Sequence, residues 1–365
     1  MMDLTASVVT TRARSVPRGL TPASFVLGGT LLSLVGLTWD IQWHTDVGPD
    51  TFFTVPHLLL YSGSAVAGLA SLFVVLATTA AERRGRPVDP IVGGRAVGVF
   101  GRTFAAPVGY LISGAGAASF LLYGLWDQWW HGLYGFDAVI ASPPHIGLLL
   151  SISVTMVGAV MVFATAREQR WGLVGTIVSG AVLLAFSMVT AIGLQALPSG
   201  TVNAVNVGAA FLSVLIVMIG AYVLDRPGGA IGVAAVVAVI QGVFWWFSPW
   251  AARAYADATG LPVRDYVEGV PSLPSFIPMC LLVVAVITEV TRRLPVWLVG
   301  AIGGLIVAGC APLQSAWVHG RSLPNTTSIV VTAIVGLVFG AAAGLLGRRL
   351  GEMLRQLVPA KENHA

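Results

Sequence analysis

Ten times along this chain an apolar run approaches the length needed to cross a bilayer as a helix, about 20 residues. The runs cover residues 23–43, 55–78, 104–126, 144–166, 172–196, 204–224, 229–249, 273–291, 296–317 and 328–347. Hydrocarbon offers no water to unpaired backbone groups, and apolar runs this long satisfy them as helices. Composition points the same way: 56% of the residues are hydrophobic, 10% are charged, and the mean hydropathy is +0.84. These values exclude an ordinary soluble domain. The expected fold is all-α, a polytopic integral membrane protein of about ten transmembrane helices, with the lipid bilayer as its first partner.

Positive charge orients the spans. Arg12, Arg14, Arg18, the loop 79–103 with Arg83, Arg84, Arg86, Arg95 and Arg102, then Arg167, Arg170, Arg226, Arg292, Arg293 and the tail with Arg348, Arg349, Arg355 and Lys361 fall on one side. The other side carries Arg253, Arg264 and Arg321. By the positive-inside rule both termini are cytoplasmic. The pI of about 9.4 is explained by this topology signal, and scattered basic residues without interleaved aromatics argue against a nucleic-acid partner. The basic lead followed by an apolar run has the outline of a secretory signal, but the run is long enough to span and ends in ionisable residues, so we expect it to be retained. The excess of Arg over Lys, with abundant Ala, Gly and Val, suits a GC-rich bacterial genome and hence a bacterial plasma membrane.

Ionisable groups are costly near hydrocarbon, and their placement is therefore informative. Asp40 and His44 lie four apart near the end of the first run, on one helical face. His57 opens the second run just after Pro56, which suits a first helical turn. The hairpin thus brings Asp40, His44 and His57 together. The arrangement recurs: Trp126, Asp127, Trp130, His131, Gly135, Asp137, Ser142, Pro144 and His145 match Trp39, Asp40, Trp43, His44, Gly48, Asp50, Thr54, Pro56 and His57 with one inserted residue. Four of the six histidines belong to this internal repeat.

The remaining chain reads as support. The expected organisation is a polar lead (1–22), a first Asp/His/His hairpin (23–78), a basic loop (79–103) whose 97–100 stretch can lie along the interface, a second hairpin (104–166), a six-helix scaffold (167–347) and a tail (348–365). The scaffold includes an aromatic extracytoplasmic loop, 244–272, which reads as a headgroup-level belt or as a lid over the hairpins. Pro271, Pro274 and Pro278 break or bend the start of the eighth span. Gly336, Gly340 and Gly344 form a small-residue face for close helix packing. Cys280 and Cys310 lie within spans and indicate neither a disulfide framework nor a thiolate metal motif. His319 reads as a solvated loop residue, and His364 lies in the polar tail.

Two imidazoles and a carboxylate per hairpin suit a divalent first-row metal with positions left open. Asp50 and Asp137 are candidates to orient an imidazole through its second nitrogen. Trp43 and Trp130 flank the ligands and would dry the site; Tyr61 and Tyr123 lie one turn away as second-layer or redox groups, or as packing. The bland alternative is a hydrogen-bonded Asp/His pair that closes each hairpin.

The run Asp40, Trp43, His44, Asp50-Thr51, Phe53-Thr54, Pro56, His57 resembles the metal-binding stretch of the C subunit of the copper membrane monooxygenases, the particulate methane and ammonia monooxygenases. The shared pattern is Asp-x3-His-x12-His. The resemblance covers under thirty residues and its repeat; the second Asn/His cluster of that subunit and the copper-binding domain of its partner have no counterpart here. It implies copper as cofactor, with Asp40, His44 and His57 as ligands and Asp127, His131 and His145 as a second copy. It also implies dioxygen chemistry on a small apolar substrate arriving from the lipid, and partner membrane subunits or a homo-oligomer. Two other classes remain open: a zinc-dependent membrane hydrolase with Asp50 or Asp137 as base, and a metal transporter or sensor. Iron is a further candidate metal. Transport calls for ionisable groups continuing through the membrane, and Glu289 is the one such residue in the sequence.

Overall fold

In a computed structural model, residues 17–135, 142–198, 200–267 and 269–358 are described. They form eleven α-helices: α1 (Leu20–Asp46), α2 (Val55–Arg83), α3 (Val108–Tyr134), α4 (Pro143–Ala164), α5 (Arg170–Gly193), α6 (Ala204–Leu224), α7 (Gly229–Thr259), α8 (Ser272–Phe276), α9 (Leu281–Val290), α10 (Val296–His319) and α11 (Thr326–Arg355). Among the described residues nine helices are long and apolar enough to cross a membrane. The chain is therefore an all-α, multi-pass membrane protein.

The tenth expected span, 273–291, is broken. Pro274 and Pro278 leave α8 and α9 separated by an irregular stretch, whose carbonyls would be costly in hydrocarbon. Two glutamines from neighbouring helices satisfy them: Gln241 of α7 donates to Pro274 O and Ile277 O, both at 2.9 Å, and Gln314 of α10 donates to Ser275 O at 2.7 Å and Ile277 O at 3.0 Å. Gln314 Oε1 also accepts from Met279 N at 2.9 Å. Cys280, at the end of this break, meets Cys310 of α10; both are free thiols.

Two further boundaries depart from expectation. Residues 96–107 are not all loop and span: β1 (Ala96–Val99) and β2 (Phe104–Pro107) pair antiparallel, with Ala96 opposite Pro107 and Val99 opposite Phe104. The turn between them places Phe100, Gly101 and Arg102 at positive φ. Thr79 of α2 fastens the strand, its Oγ1 donating to Ala105 O and accepting from Ala105 N, both at 3.0 Å. Second, α7 does not end with its aromatic cluster. It runs through Pro249 to Thr259, so Arg253 and Asp257 stand on a helix instead of in a loop.

The aromatic segment presents two faces. Trp246 and Trp250 are exposed and stacked, with ring centroids 5.4 Å apart. Phe247 and Tyr255 turn inward onto Trp39, at 6.2 and 5.8 Å. Glu289 is likewise structural: it accepts from Ala230 N at 2.8 Å and pairs with Arg292 at 2.7 Å.

Packing rests on small residues. A Cβ on Gly29 of α1 would lie 2.5 Å from Gly63 O of α2, and one on Gly36 would lie 2.6 Å from Leu60 N. In the second hairpin Gly116 precedes Asp127 by eleven residues, as Gly29 precedes Asp40; its Cβ would lie 2.5 Å from Thr155 N of α4. Such close approach needs residues without side chains. Gly336, Gly340 and Gly344 of α11 pack in the same way on Gly300 and Gly304 of α10. α5 forms the hub of the bundle, with Leu184, Phe186 and Met188 wholly buried against α4, α6 and α7.

Candidate metal centre

In each hairpin, the outgoing helix carries an Asp and a His one turn apart near its end, and the returning helix carries a His in its first turn. Backbone geometry does the rest. Each outgoing helix is followed by a glycine at positive φ, Gly48 (106°) and Gly135 (88°), at matched positions of the repeat. In hairpin one, Trp43 holds the connecting loop by donating from Nε1 to Pro49 O at 2.8 Å. Its ring is buried against Tyr255, so Trp43 positions the loop and does not line the site. Trp130 packs on Trp126 and Tyr134 and is also outside the cavity.

The first cluster unites four side chains, Asp40, His44, Asp50 and His57, whose candidate ligand atoms all lie within 4.8 Å of one another. His57 Nε2 is 3.0 Å from Asp40 Oδ1 and 3.3 Å from Asp50 Oδ2; His44 Nε2 is 3.2 Å from Asp50 Oδ2 and 3.9 Å from Asp40 Oδ1. Asp50, expected to support one imidazole from behind, thus meets the inner nitrogens of two. The second cluster contains Asp127, His131 and His145. Asp127 lies 3.4 Å from His131 Nε2 through Oδ2 and 3.3 Å from His145 Nε2 through Oδ1, and the two Nε2 atoms are 3.3 Å apart. Asp137, the repeat counterpart of Asp50, lies outside the described residues.

The histidine tautomers carry most of the chemistry. His57 Nδ1 is 3.0 Å from Thr51 O, and His131 Nδ1 is 3.0 Å from Gly135 O. A carbonyl only accepts, so Nδ1 of each ring bears the hydrogen. In the neutral ring Nε2 then presents a lone pair, toward carboxylate oxygens in the first cluster and toward a carboxylate and another imidazole nitrogen in the second. A lone pair facing a carboxylate oxygen at this distance is bridged by a cation, a proton or a metal ion, and between His131 and His145 the hydrogen of a neutral His145 Nε2–H serves as well. Asp50 adds to this: its side chain is 4% exposed, and its buried Oδ1 has no hydrogen-bond partner.

The donor set and its spacing fit a metal. An ion bound tetrahedrally at about 2.0–2.1 Å has ligand atoms about 3.4 Å from one another. The His–Asp separations, 3.0–3.4 Å apart from one of 3.9 Å, and the 3.3 Å between the imidazole nitrogens of the second cluster need only small adjustments, and the other pairs of the first cluster lie within 4.8 Å. Imidazole and carboxylate donors without sulfur suit copper(II), zinc or iron(II).

Both clusters open on one cavity of about 470 Å³. Its remaining wall is largely apolar, including Leu37, Ile41, Leu60, Leu148, Leu149 and Ile152. Tyr61 lines it too, its ring 5.9 Å from that of His57 and nearly parallel to it. Tyr123 instead packs onto Gly147, where a side chain would run into its ring. Arg264, which no motif in the sequence singles out, reaches the same cavity from the segment after α7. It is fixed by Nη1 donating to His44 O at 2.8 Å and by its own N–H donating to Asp46 O at 2.8 Å. Gln42 holds Asp46 at 2.8 Å and accepts from Ser272 N at 2.8 Å, so the end of α1 is tied to the start of α8. Nothing in the local sequence around Arg264 announces this contact, since it depends on folding across more than two hundred residues.

No protein-family model, curated protein or solved structure matches this chain. Its chemistry therefore has to be read from the site alone.

Proposed function

We propose that this chain is a membrane metalloprotein that holds copper in its two Asp/His/His units and oxidises a small apolar substrate with dioxygen, as its resemblance to the copper membrane monooxygenases implies. The observation that carries the reading is the pair of backbone-fixed imidazoles, His57 and His131. Each has Nδ1 against a backbone carbonyl and turns Nε2 toward a carboxylate, at 3.0 Å for His57 with the half-buried Asp40 and 3.4 Å for His131 with the buried Asp127. Copper, when bound, would supply the redox chemistry. Asp40, His44, Asp50 and His57 would hold it at one position, and Asp127, His131 and His145 at the other. The apolar wall would bind the substrate and exclude water, and Tyr61 would place a hydroxyl-bearing ring beside the first position.

Charge supports one orientation in the membrane. Arg95, Arg167, Arg226, Arg292 and Arg355 join backbone and acidic groups at the bundle end opposite the two clusters, for example Arg226 with Glu168 at 2.5 Å and Arg292 with Arg226 O at 2.6 Å. The positive-inside rule would put that end in the cytoplasm and the clusters at the extracytoplasmic face.

A zinc enzyme is the second reading. Asp50 favours it, because a second carboxylate beside two imidazoles hardens the donor set and offers a base for a metal-bound water. The test is metal analysis of detergent-purified protein expressed with copper, zinc and iron supplied together. Retained copper with substrate-dependent oxygen uptake supports the oxidase; retained zinc with no oxygen uptake supports the hydrolase.

A further inference from the structure

We infer that the two clusters are the halves of one paired-metal centre, with a ligand or substrate seated between two ions across a single cavity. This rests on the metal-binding reading above and specifies how that site works. Three observations carry it.

The first is placement. The internal repeat puts each cluster at the same end of its hairpin, and the hairpins pack with α1 against α4 and α2 against α3. Ligands of both units consequently line one cavity wall to wall, with Asp40, His44, Asp50 and His57 on one side and Asp127, His131 and His145 on the other.

The second is charge. Three carboxylates, Asp40, Asp50 and Asp127, line this cavity, against one permanently cationic side chain among the lining residues, Arg264. A single divalent ion would balance the set only formally and would leave the far cluster without a cation. Two divalent ions with Arg264 would exceed the carboxylates by two positive charges. That excess is the condition for holding an anionic or strongly electron-donating ligand between the ions, the bridging arrangement of two-metal sites.

The third is the shape of the remaining wall. Leu37 and Leu60 of the first hairpin and Leu148 and Ile152 of the second meet in the same hydrophobic cluster. The same cavity is lined by the candidate ligands of both metal positions. The ligand class this selects is small, with one electron-pair-donating atom for the ions and an apolar remainder against the leucines.

Copper(II) is the probe. The wild-type chain in detergent is loaded with copper(II), desalted, and its copper content is compared with its electron paramagnetic resonance spectrum. The expected result is two coppers per chain with a dipolar-split spectrum and a half-field transition, or with spin intensity well below one per copper if a bridge couples the ions. His44→Ala and His131→Ala are each expected to retain one copper with an ordinary uncoupled spectrum. Two coppers per chain with full, uncoupled spin intensity in the wild type would overturn the pairing and leave metal binding standing. One copper per chain would overturn it as well. No bound copper would defeat the copper reading beneath it, and because the wild-type measurement decides, misfolding of a variant cannot rescue the idea.

Discussion

The two hairpins hold the same three ligand types by different means. Among the described residues, a backbone carbonyl meets Nδ1 of His57, on the returning helix of hairpin one, and another meets Nδ1 of His131, on the outgoing helix of hairpin two. Packing is exchanged too. Four residues before Asp40 the first hairpin has Gly36, which lets α1 and α2 touch, whereas four residues before Asp127 the second has Tyr123, whose ring is admitted by Gly147 on the opposite helix. Arg264 and the end of α7 cover hairpin one. The ligand set is the constant and its scaffolding varies, which is the pattern expected when the donors serve an ion and the remaining residues only have to place them.

The largest effect should come from removing one imidazole. We expect His44→Ala and His131→Ala each to lose one of two bound ions, read by metal analysis of the purified chain; loss of both from either variant would show that the hairpins do not bind separately. Carboxylates should discriminate next. Asp127→Asn removes the one carboxylate of the second cluster among the described residues, whereas Asp50→Asn leaves Asp40 in place. Metal affinity at the affected position should fall more in the first case than in the second, which we place at about 10–100-fold, the cost of losing a supporting group; competition with a chromogenic chelator measures both. Equal losses would mean that Asp50 is as indispensable as Asp127.

Packing comes third. Gly147→Leu should destabilise the second hairpin by about 1–3 kcal/mol through overpacking against Tyr123, and Tyr123→Ala should relieve much of it. Thermal unfolding in detergent follows the pair, and no rescue by Tyr123→Ala would contradict the contact. The smallest effect belongs to Trp43→Phe, which removes the hydrogen bond to Pro49 O, worth about 1 kcal/mol. It should weaken only the first position, by loosening the loop that carries Asp50.

Much of this architecture is legible in the sequence because membrane helices write long signals. Runs of about 20 apolar residues, the matched Asp/His/His spacings and the Gly336/Gly340/Gly344 stripe each follow from a period or a length, and each recurs in the fold. What escapes depends on short or distant features. Strands of four residues such as Ala96–Val99 are too brief to display alternation. The seventh apolar run stops at residue 249, yet α7 continues past Pro249, with tertiary contacts from Tyr255 to Trp39 and Trp43 on the far side. Asp50 belongs to the repeat, but its approach to both imidazoles depends on the turn at Gly48, whose path the residue types alone do not specify. Arg264 has no local signal, and the carbonyls that fix His57 and His131 are backbone atoms that no residue identity reveals.

Whether Asp and His side chains of both hairpins hold metal is decided by X-ray absorption at the metal edge of the wild-type chain, with the metal-to-protein ratio measured on the same sample. We expect two ions per chain, each with nitrogen and oxygen neighbours at about 2.0–2.1 Å and the outer-shell scattering of imidazole. No retained metal, or ions bound by sulfur at about 2.3 Å as Cys280 and Cys310 would bind them, would contradict it.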